Sequence, residues 1–224
     1  MARRGHHTLE QIKNMVLVAA EDLVVEGGLT QLRVRNIAAK IGYTVGSIYM
    51  VFESMTDLTL HIKGRTLDTL AQQMSGIQAV SAEQGLEELA AVYIRYASEN
   101  LNSWSMVFEH RLPEDMETPA WYQQKVDNVY KKLEVQFEVL APELSPSQRR
   151  QTALAFLGGI HGICVFMLTT QLGGLNSKDF EESVVLLTKR FIQDGWVDSV
   201  SRITPPNHSK TEAWGLRSVA AHPV

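Results

Sequence analysis

Few side chains in this 224-residue chain are placed to do covalent chemistry. The nearest approach to a metal site is His161 with Cys164, one helical turn apart. Two donors without a second pair fall short of the four-coordinate set that zinc takes. There is no glycine-rich phosphate loop, nucleophile elbow or paired-histidine motif. The expectation is therefore a protein without catalytic residues, metal or cofactor, and not an enzyme. Binding chemistry remains. Thr44, Val45, Gly46 and Ser47 are four small residues in a row, with Tyr49 two positions on and Arg35 upstream. A helix enters the major groove of DNA only if the side chains nearest the groove floor let its backbone approach. Hydroxyls at 44 and 47 suit phosphates or base edges, Val45 suits a thymine methyl, and Gly46 leaves the backbone bare. Tyr49 has the reach for a phosphate, and Arg35 for a phosphate or a guanine edge. The competing account of the same residues is a turn followed by a buried amphipathic helix.

Positioning such an edge requires a helix pair. Apolar residues at 9, 12, 16, 19, 20 and 23 recur at helical spacing, opened by Thr8 and Gln11 as a capping box and closed by Gly27 and Gly28. A short helix is expected over residues 34–41 with Ile37, Ala38 and Ile41 inward. Gly42 breaks it, Thr44 caps the next, and residues 45–52 form that third helix, carrying Ile48, Tyr49 and Phe52. Ser54 and Asp57 open a fourth, running to about Met74. Helical period then recurs over residues 86–101, 103–110, 119–140, 147–172 and 179–200, with breaks at Gly76, Leu112-Pro113, Ala141-Pro142 and Gly173-Gly174. The expected fold is all-α: a helix-turn-helix head over residues 1–53, a helical body over 54–200 and a flexible polar tail over 201–224.

Charge follows the same division. The net charge is −4, yet through Phe52 six basic residues face four acidic ones, giving +2 there and −6 beyond. A basic head on an acidic body suits contact with a polyanion. A single cysteine excludes an intrachain disulfide and fits a reducing compartment. Glu10, Lys13, Glu21 and Asp22 interrupt any apolar run in the first thirty residues, so the expected location is the cytoplasm.

Residues 29–58, LTQLRVRNIAAKIGYTVGSIYMVFESMTDL, resemble the DNA-binding head of the tetracycline-repressor (TetR) family of bacterial transcription regulators. The resemblance lies in Ile37-Ala38, Gly42, Thr44, Gly46-Ser47-Ile48-Tyr49 and Phe52, and covers roughly the first 65 residues. It implies base or phosphate contacts from Arg35, Thr44, Val45, Ser47, Tyr49 and Met50. Two positions depart. Arg33 stands where the family has a Ser or Thr cap, which puts about 1 kcal/mol of capping in doubt and offers a phosphate contact instead. Met55 stands where the family has a phosphate-binding lysine, so the salt dependence is expected to flatten by about one unit of slope. Arg3 and Arg4 either compensate as a basic arm or are a plain solvated terminus.

The body follows the resemblance more loosely. The stretch 153–168 is apolar except for His161, and is shorter than the roughly 20 residues a bilayer requires, so no membrane is expected. Burial between subunits is expected instead, with Gly158, Gly159 and Gly162 giving a flat face and Val184, Leu187, Phe191 and Trp196 as partners. The family forms a dimer bundle from its last two helices, which implies a homodimer on a near-palindromic double-stranded DNA operator. Part of this stretch is also similar to a subset of the family with a Trp-His-Gly signature, with Ile160 in place of Trp. The family further implies a small-molecule effector cavity after the fourth helix. Tyr93, Trp104, Phe108, Trp121, Tyr122 and His161 are its candidate lining, with Glu109, His110 and Arg111 as a polar anchor. Core packing is the competing account for each aromatic, and a hydrogen-bonded core position for His161. The functional expectation is a ligand-released repressor; the alternative is a DNA-binding protein controlled by a protein partner.

Overall fold

In the computed structural model, residues 7–113, 116–169 and 177–193 are described. Among them the chain forms nine α-helices and a single 3-10 turn, with no strand. The first helix, α1 (Leu9–Gly27), opens on the reciprocal bond expected of its cap: Gln11 N–H donates to the Thr8 hydroxyl, and Thr8 N–H to the Gln11 side chain. It closes at Gly28, whose φ of 69° belongs to glycine. A 3-10 turn, Leu29–Gln31, which periodicity cannot reveal, leads to α2 (Val34–Ile41). Gly42, at φ 70° and ψ 28°, ends α2 in the left-handed conformation and turns the chain into α3 (Val45–Tyr49).

The third helix is three residues shorter than expected. Amides of Val51 and Phe52 both return to the Ile48 carbonyl, which swings Phe52 out of helical register and into the core, where it is buried. The helix α4 (Met55–Ser75) begins at Ser54, whose hydroxyl accepts from Asp57 N–H, while the Asp57 carboxylate accepts from Glu53 N–H.

The body contains α5 (Ala82–Glu99), α6 (Leu101–Glu109), α7 (Ala120–Leu140), α8 (Pro146–Thr169) and α9 (Ser177–Gln193). Sequence periodicity runs α5 through Leu101, but the chain breaks at Asn100. There the Asn100 amide and side chain both donate to the Tyr96 carbonyl, the local competition that makes asparagine a helix terminator. Pro146 occupies the first turn of α8, after Ser145, which exchanges hydrogen bonds with Gln148. Trp196, Trp214, Arg3, Arg4, Gly173 and Gly174 lie outside the described residues.

Two apolar clusters organise the fold. The first gathers Val16, Ala20, Ile37, Ile48, Phe52, Leu58 and Ile62. The second gathers Leu67, Leu70, Tyr93, Trp104, Leu133, Phe137, Phe156 and Ile160. The helix α4 belongs to both, with Leu58 and Ile62 in one and Leu67, Leu70 and Met74 in the other. Each such buried side chain contributes about 1.5–3 kcal/mol, so bending α4 between the clusters would strip one of them. Ion pairs Arg65–Glu21 (2.7 Å), from α4 to α1, and Lys125–Asp68, from α7 to α4, lie along the same helix.

By length and composition α8 could cross a membrane. In the fold it packs against α5, α7 and α9. It is nonetheless not enclosed on all sides, as its apolar sequence predicts: Leu154 and Phe166 stand more than half exposed. Val184 and Phe191 of α9 turn into the chain's own core, and a Cβ on Gly159 would lie 2.9 Å from Leu187 of the same chain. The residues that α9 leaves outside are Val185 and Leu186.

Candidate nucleic-acid interface and effector cavity

Among the described residues, those singled out for DNA contact lie on α2 and α3 and at their caps. Arg35, Thr44, Gly46, Tyr49 and Met50 are exposed, while Val45 and Ser47 are half-buried at the edge of α3. Only Ile48 of α3 is buried, so the helix turns one apolar residue inward and presents the rest. This disposes of the account in which α3 is a buried helix. The edge is also pre-set: the Thr44 hydroxyl accepts from Ser47 N–H at 3.3 Å and lies 3.0 Å from the Ser47 hydroxyl. These two hydroxyls are therefore joined to each other on the exposed edge. A Cβ on Gly46 would meet nothing nearer than the Thr44 hydroxyl at 3.7 Å, so nothing within the chain requires glycine there. A backbone left bare without an internal reason suits the approach of an external surface.

The two departures have structural consequences. Arg33 occupies the N-cap of α2 without a side-chain capping bond; its Nε donates instead to the Thr30 carbonyl at 3.2 Å. Met55 packs against the head cluster, an apolar use of the position. The head is braced from below by Lys40, which bonds Glu26 at 2.8 Å and Asp22 at 3.3 Å, and from the side by Tyr43, whose hydroxyl lies 2.6 Å from His7 Nδ1.

A second feature lies in the body. Leu67 and Leu70 of α4, Tyr93 of α5, Val107 and Phe108 of α6, Tyr122, Val126, Val129 and Tyr130 of α7, and Leu157, Gly158 and His161 of α8 surround a cavity of about 290 Å³. Four of the six candidate residues line it: Tyr93, Phe108, Tyr122 and His161. Trp104 does not line it but backs it, its ring 4.9 Å from His161. Trp121 is elsewhere, stacked on His61 of α4 at 4.6 Å and 16°. His110 and Arg111 are not among the described lining residues, and the Glu109 side chain lies outside the described part; the polar centre among the described residues is His161, whose Nδ1 lies 2.9 Å from the Tyr93 hydroxyl. That pair, 68 residues apart in sequence, carries no local signal.

Burial sets the protonation of this wall. It raises the Tyr93 phenol and lifts Tyr122 to about 12, and it lowers His161, so the phenols stay protonated and the imidazole neutral. The Cys164 thiol, one turn below His161, is buried and pushed up to about 12. Among the described residues, no group of three or more His, Cys, Asp or Glu is arranged for a metal ion.

Sequence reasoning missed three residues near the junction of head and body. Met106 of α6 is buried in the head cluster, although its neighbours Trp104 and Phe108 serve the cavity wall. Lys63 of α4 is buried, its ammonium donating to the His110 carbonyl at 3.1 Å beneath α6 and lying 5.5 Å from the Tyr122 ring centre. Burial alone lowers its pKa. Asn102, at the start of α6, donates to the Val25 carbonyl of α1 at 2.9 Å.

An exposed, small-faced helix after a left-handed glycine turn, mounted on an all-helical body, defines a helix-turn-helix DNA-binding protein. Residues 16–62 match the family described as bacterial regulatory proteins, tetR family. The match covers the helix-turn-helix head, 47 of the 224 residues, and over that stretch the chain is similar to the DNA-binding part of this family. No curated protein matches the chain in sequence. Solved structures share its fold. A protein of unknown function from Rhodococcus sp. RHA1 is 16% identical with a TM-score of 0.68, over 86% of this chain and 98% of that one. The transcriptional regulator FadR from Bacillus subtilis, in complex with stearoyl-CoA, is 14% identical with a TM-score of 0.62, over 80% and 97%. The TetR-family regulator PfmR from Thermus thermophilus is 15% identical with a TM-score of 0.55, over 79% and 96%.

Proposed function

We propose that the protein is a cytoplasmic homodimeric repressor, released from a near-palindromic operator by a small apolar effector held in the body cavity. The observation that carries this reading is α4: Leu67 and Leu70 line the cavity, while Leu58 and Ile62 of the same helix are in the head core. From Leu58 to Leu70 the helix spans about 18 Å. Filling the cavity displaces one end of a rigid element whose other end carries the recognition helix. A ligand that favours the displaced arrangement then draws the population away from DNA. The tie through α6, with Phe108 on the cavity and Met106 in the head, acts in the same direction.

The contacts proposed for DNA are Arg33, Arg35, Thr44, Val45, Gly46, Ser47, Tyr49 and Met50. The surface proposed for the homodimer takes in the exposed Leu154 of α8 with Val185 and Leu186 of α9. Two heads on a twofold axis read half-sites about 34–36 Å apart. The FadR neighbour was solved with stearoyl-CoA, which supports a ligand in this fold. A cavity lined by apolar side chains favours a small ligand over control by a protein partner.

A footprint of the purified protein on DNA upstream of its own coding sequence tests the reading. Two protected half-sites one helical turn apart are expected. Binding no tighter than to bulk DNA overturns it.

A further inference from the structure

The lining of the body cavity restricts what can occupy it. Among the described residues that line it, none is Lys, Arg, Asp or Glu. The cations behind the wall are engaged: Lys63 donates to the His110 carbonyl, and Arg150, over the Tyr130 ring, pairs with Glu134 and Asp127. An ionised ligand would leave water for a wall without a counter-charge, at a large desolvation cost. Size restricts it further. A cavity of about 150 Å³ holds benzene, so 290 Å³ admits a molecule of roughly ten to fifteen non-hydrogen atoms.

The hydrogen-bonding group is also specified. The Tyr93 hydroxyl is buried, and its described hydrogen bond is to His161 Nδ1. A buried phenol O–H requires an acceptor, so Tyr93 donates to Nδ1. The neutral imidazole then carries its proton on Nε2, which has no partner among the described residues. The wall therefore offers one N–H donor, with the Tyr122 and Tyr130 hydroxyls, amid aromatic and aliphatic surface.

We propose, resting on the reading of this cavity as the effector site, that the effector is a small neutral ring compound with one hydrogen-bond acceptor, a carbonyl or ether oxygen, that takes the Nε2–H of His161. Its class is that of aryl ketones and related neutral aromatics, not carboxylates or acyl-CoA esters.

Four probes of graded chemistry test this: 1-tetralone, tetralin (the same skeleton without the oxygen), 2-naphthoate and palmitoyl-CoA. Each is titrated into the full-length protein by thermal shift, and into its operator complex by fluorescence anisotropy. Tetralone is expected to bind saturably, at least tenfold tighter than tetralin, with naphthoate and palmitoyl-CoA weaker than both. In His161→Phe the preference for tetralone over tetralin should vanish while tetralin binding persists. Tyr93→Phe, which frees Nδ1, should reduce that preference, and Val126→Phe, which fills the cavity, should abolish binding of both. Tighter binding of naphthoate or palmitoyl-CoA overturns the proposal, as does an unchanged preference in His161→Phe or failure of all four probes. Operator binding by the ligand-free protein is read in the same experiment. If that binding holds while the probes fail, the ligand class falls and the regulator stands; if it is absent, the regulator reading falls with it.

Discussion

At the scale of single residues, the small, capped edge of α3 was legible because its chemistry is local. Thr44, Gly46 and Ser47 are small wherever the chain goes, and a capping threonine fixes its own helix start. The residues that link the head to the body were not legible. Met106 reads as one more aromatic-rich body position, and only the three-dimensional packing puts it in the head. Lys63 reads as a solvated lysine on an amphipathic helix, yet α6 covers it. Met55 makes the clearest residue-scale prediction. The position lies in the first turn of α4 and packs on the head without a charge. Met55→Lys adds a phosphate contact and should steepen the slope of log binding constant against log salt by about 0.9. A salt titration of operator binding from about 50 to 200 mM checks it, and an unchanged slope would show that the position does not face the backbone of the duplex.

At the scale of elements, helix starts were readable and several ends were not. Caps at Thr8, Thr44 and Ser54 depend on residues three apart, so they show in sequence and appear in the fold. The end of α3 depends on burying Phe52, and the break at Asn100 on a side chain that competes for one carbonyl; both are tertiary or conformational choices that periodicity does not carry. The coupling of α4 to α7 is equally non-local. At Gly64 the two helices approach so closely that a Cβ would lie 2.9 Å from Lys125 Cδ and 3.2 Å from the Trp121 ring. Gly64→Val should therefore destabilise the protein by about 1–3 kcal/mol through overpacking, despite removing a helical glycine. Urea unfolding measures this, and a gain in stability would mean that α7 yields freely and cannot relay strain to α4.

At the scale of the whole molecule, the all-helical architecture followed from pattern alone, whereas the cavity and the outer stripe did not. Sequence shows that α8 is apolar on every side; only the fold separates the residues that meet the chain's own core, Phe156 and Ile160, from Leu154, which stays exposed. Likewise Val184 and Phe191 proved to be core, which transferred the outer role to Val185 and Leu186. The proposed homodimer would bury these exposed apolar side chains. Leu154→Glu with Leu186→Glu should convert a dimer to a folded monomer in sedimentation velocity and lower operator affinity by at least a hundredfold. A double variant that sediments as a dimer would place the twofold elsewhere.

The central claim is that the exposed edge of α3 lies against DNA, and Gly46 tests it most directly. A side chain there clashes with nothing inside the chain, since the nearest atom to its Cβ is the Thr44 hydroxyl at 3.7 Å. Gly46→Leu should leave the melting temperature unchanged or raise it, by about 0.5–1 kcal/mol of helix stabilisation. Anisotropy of a labelled operator should show affinity reduced at least a hundredfold, because the added side chain holds the helix off the groove floor. A stable Gly46→Leu protein that binds its operator as tightly as the wild type would contradict the account.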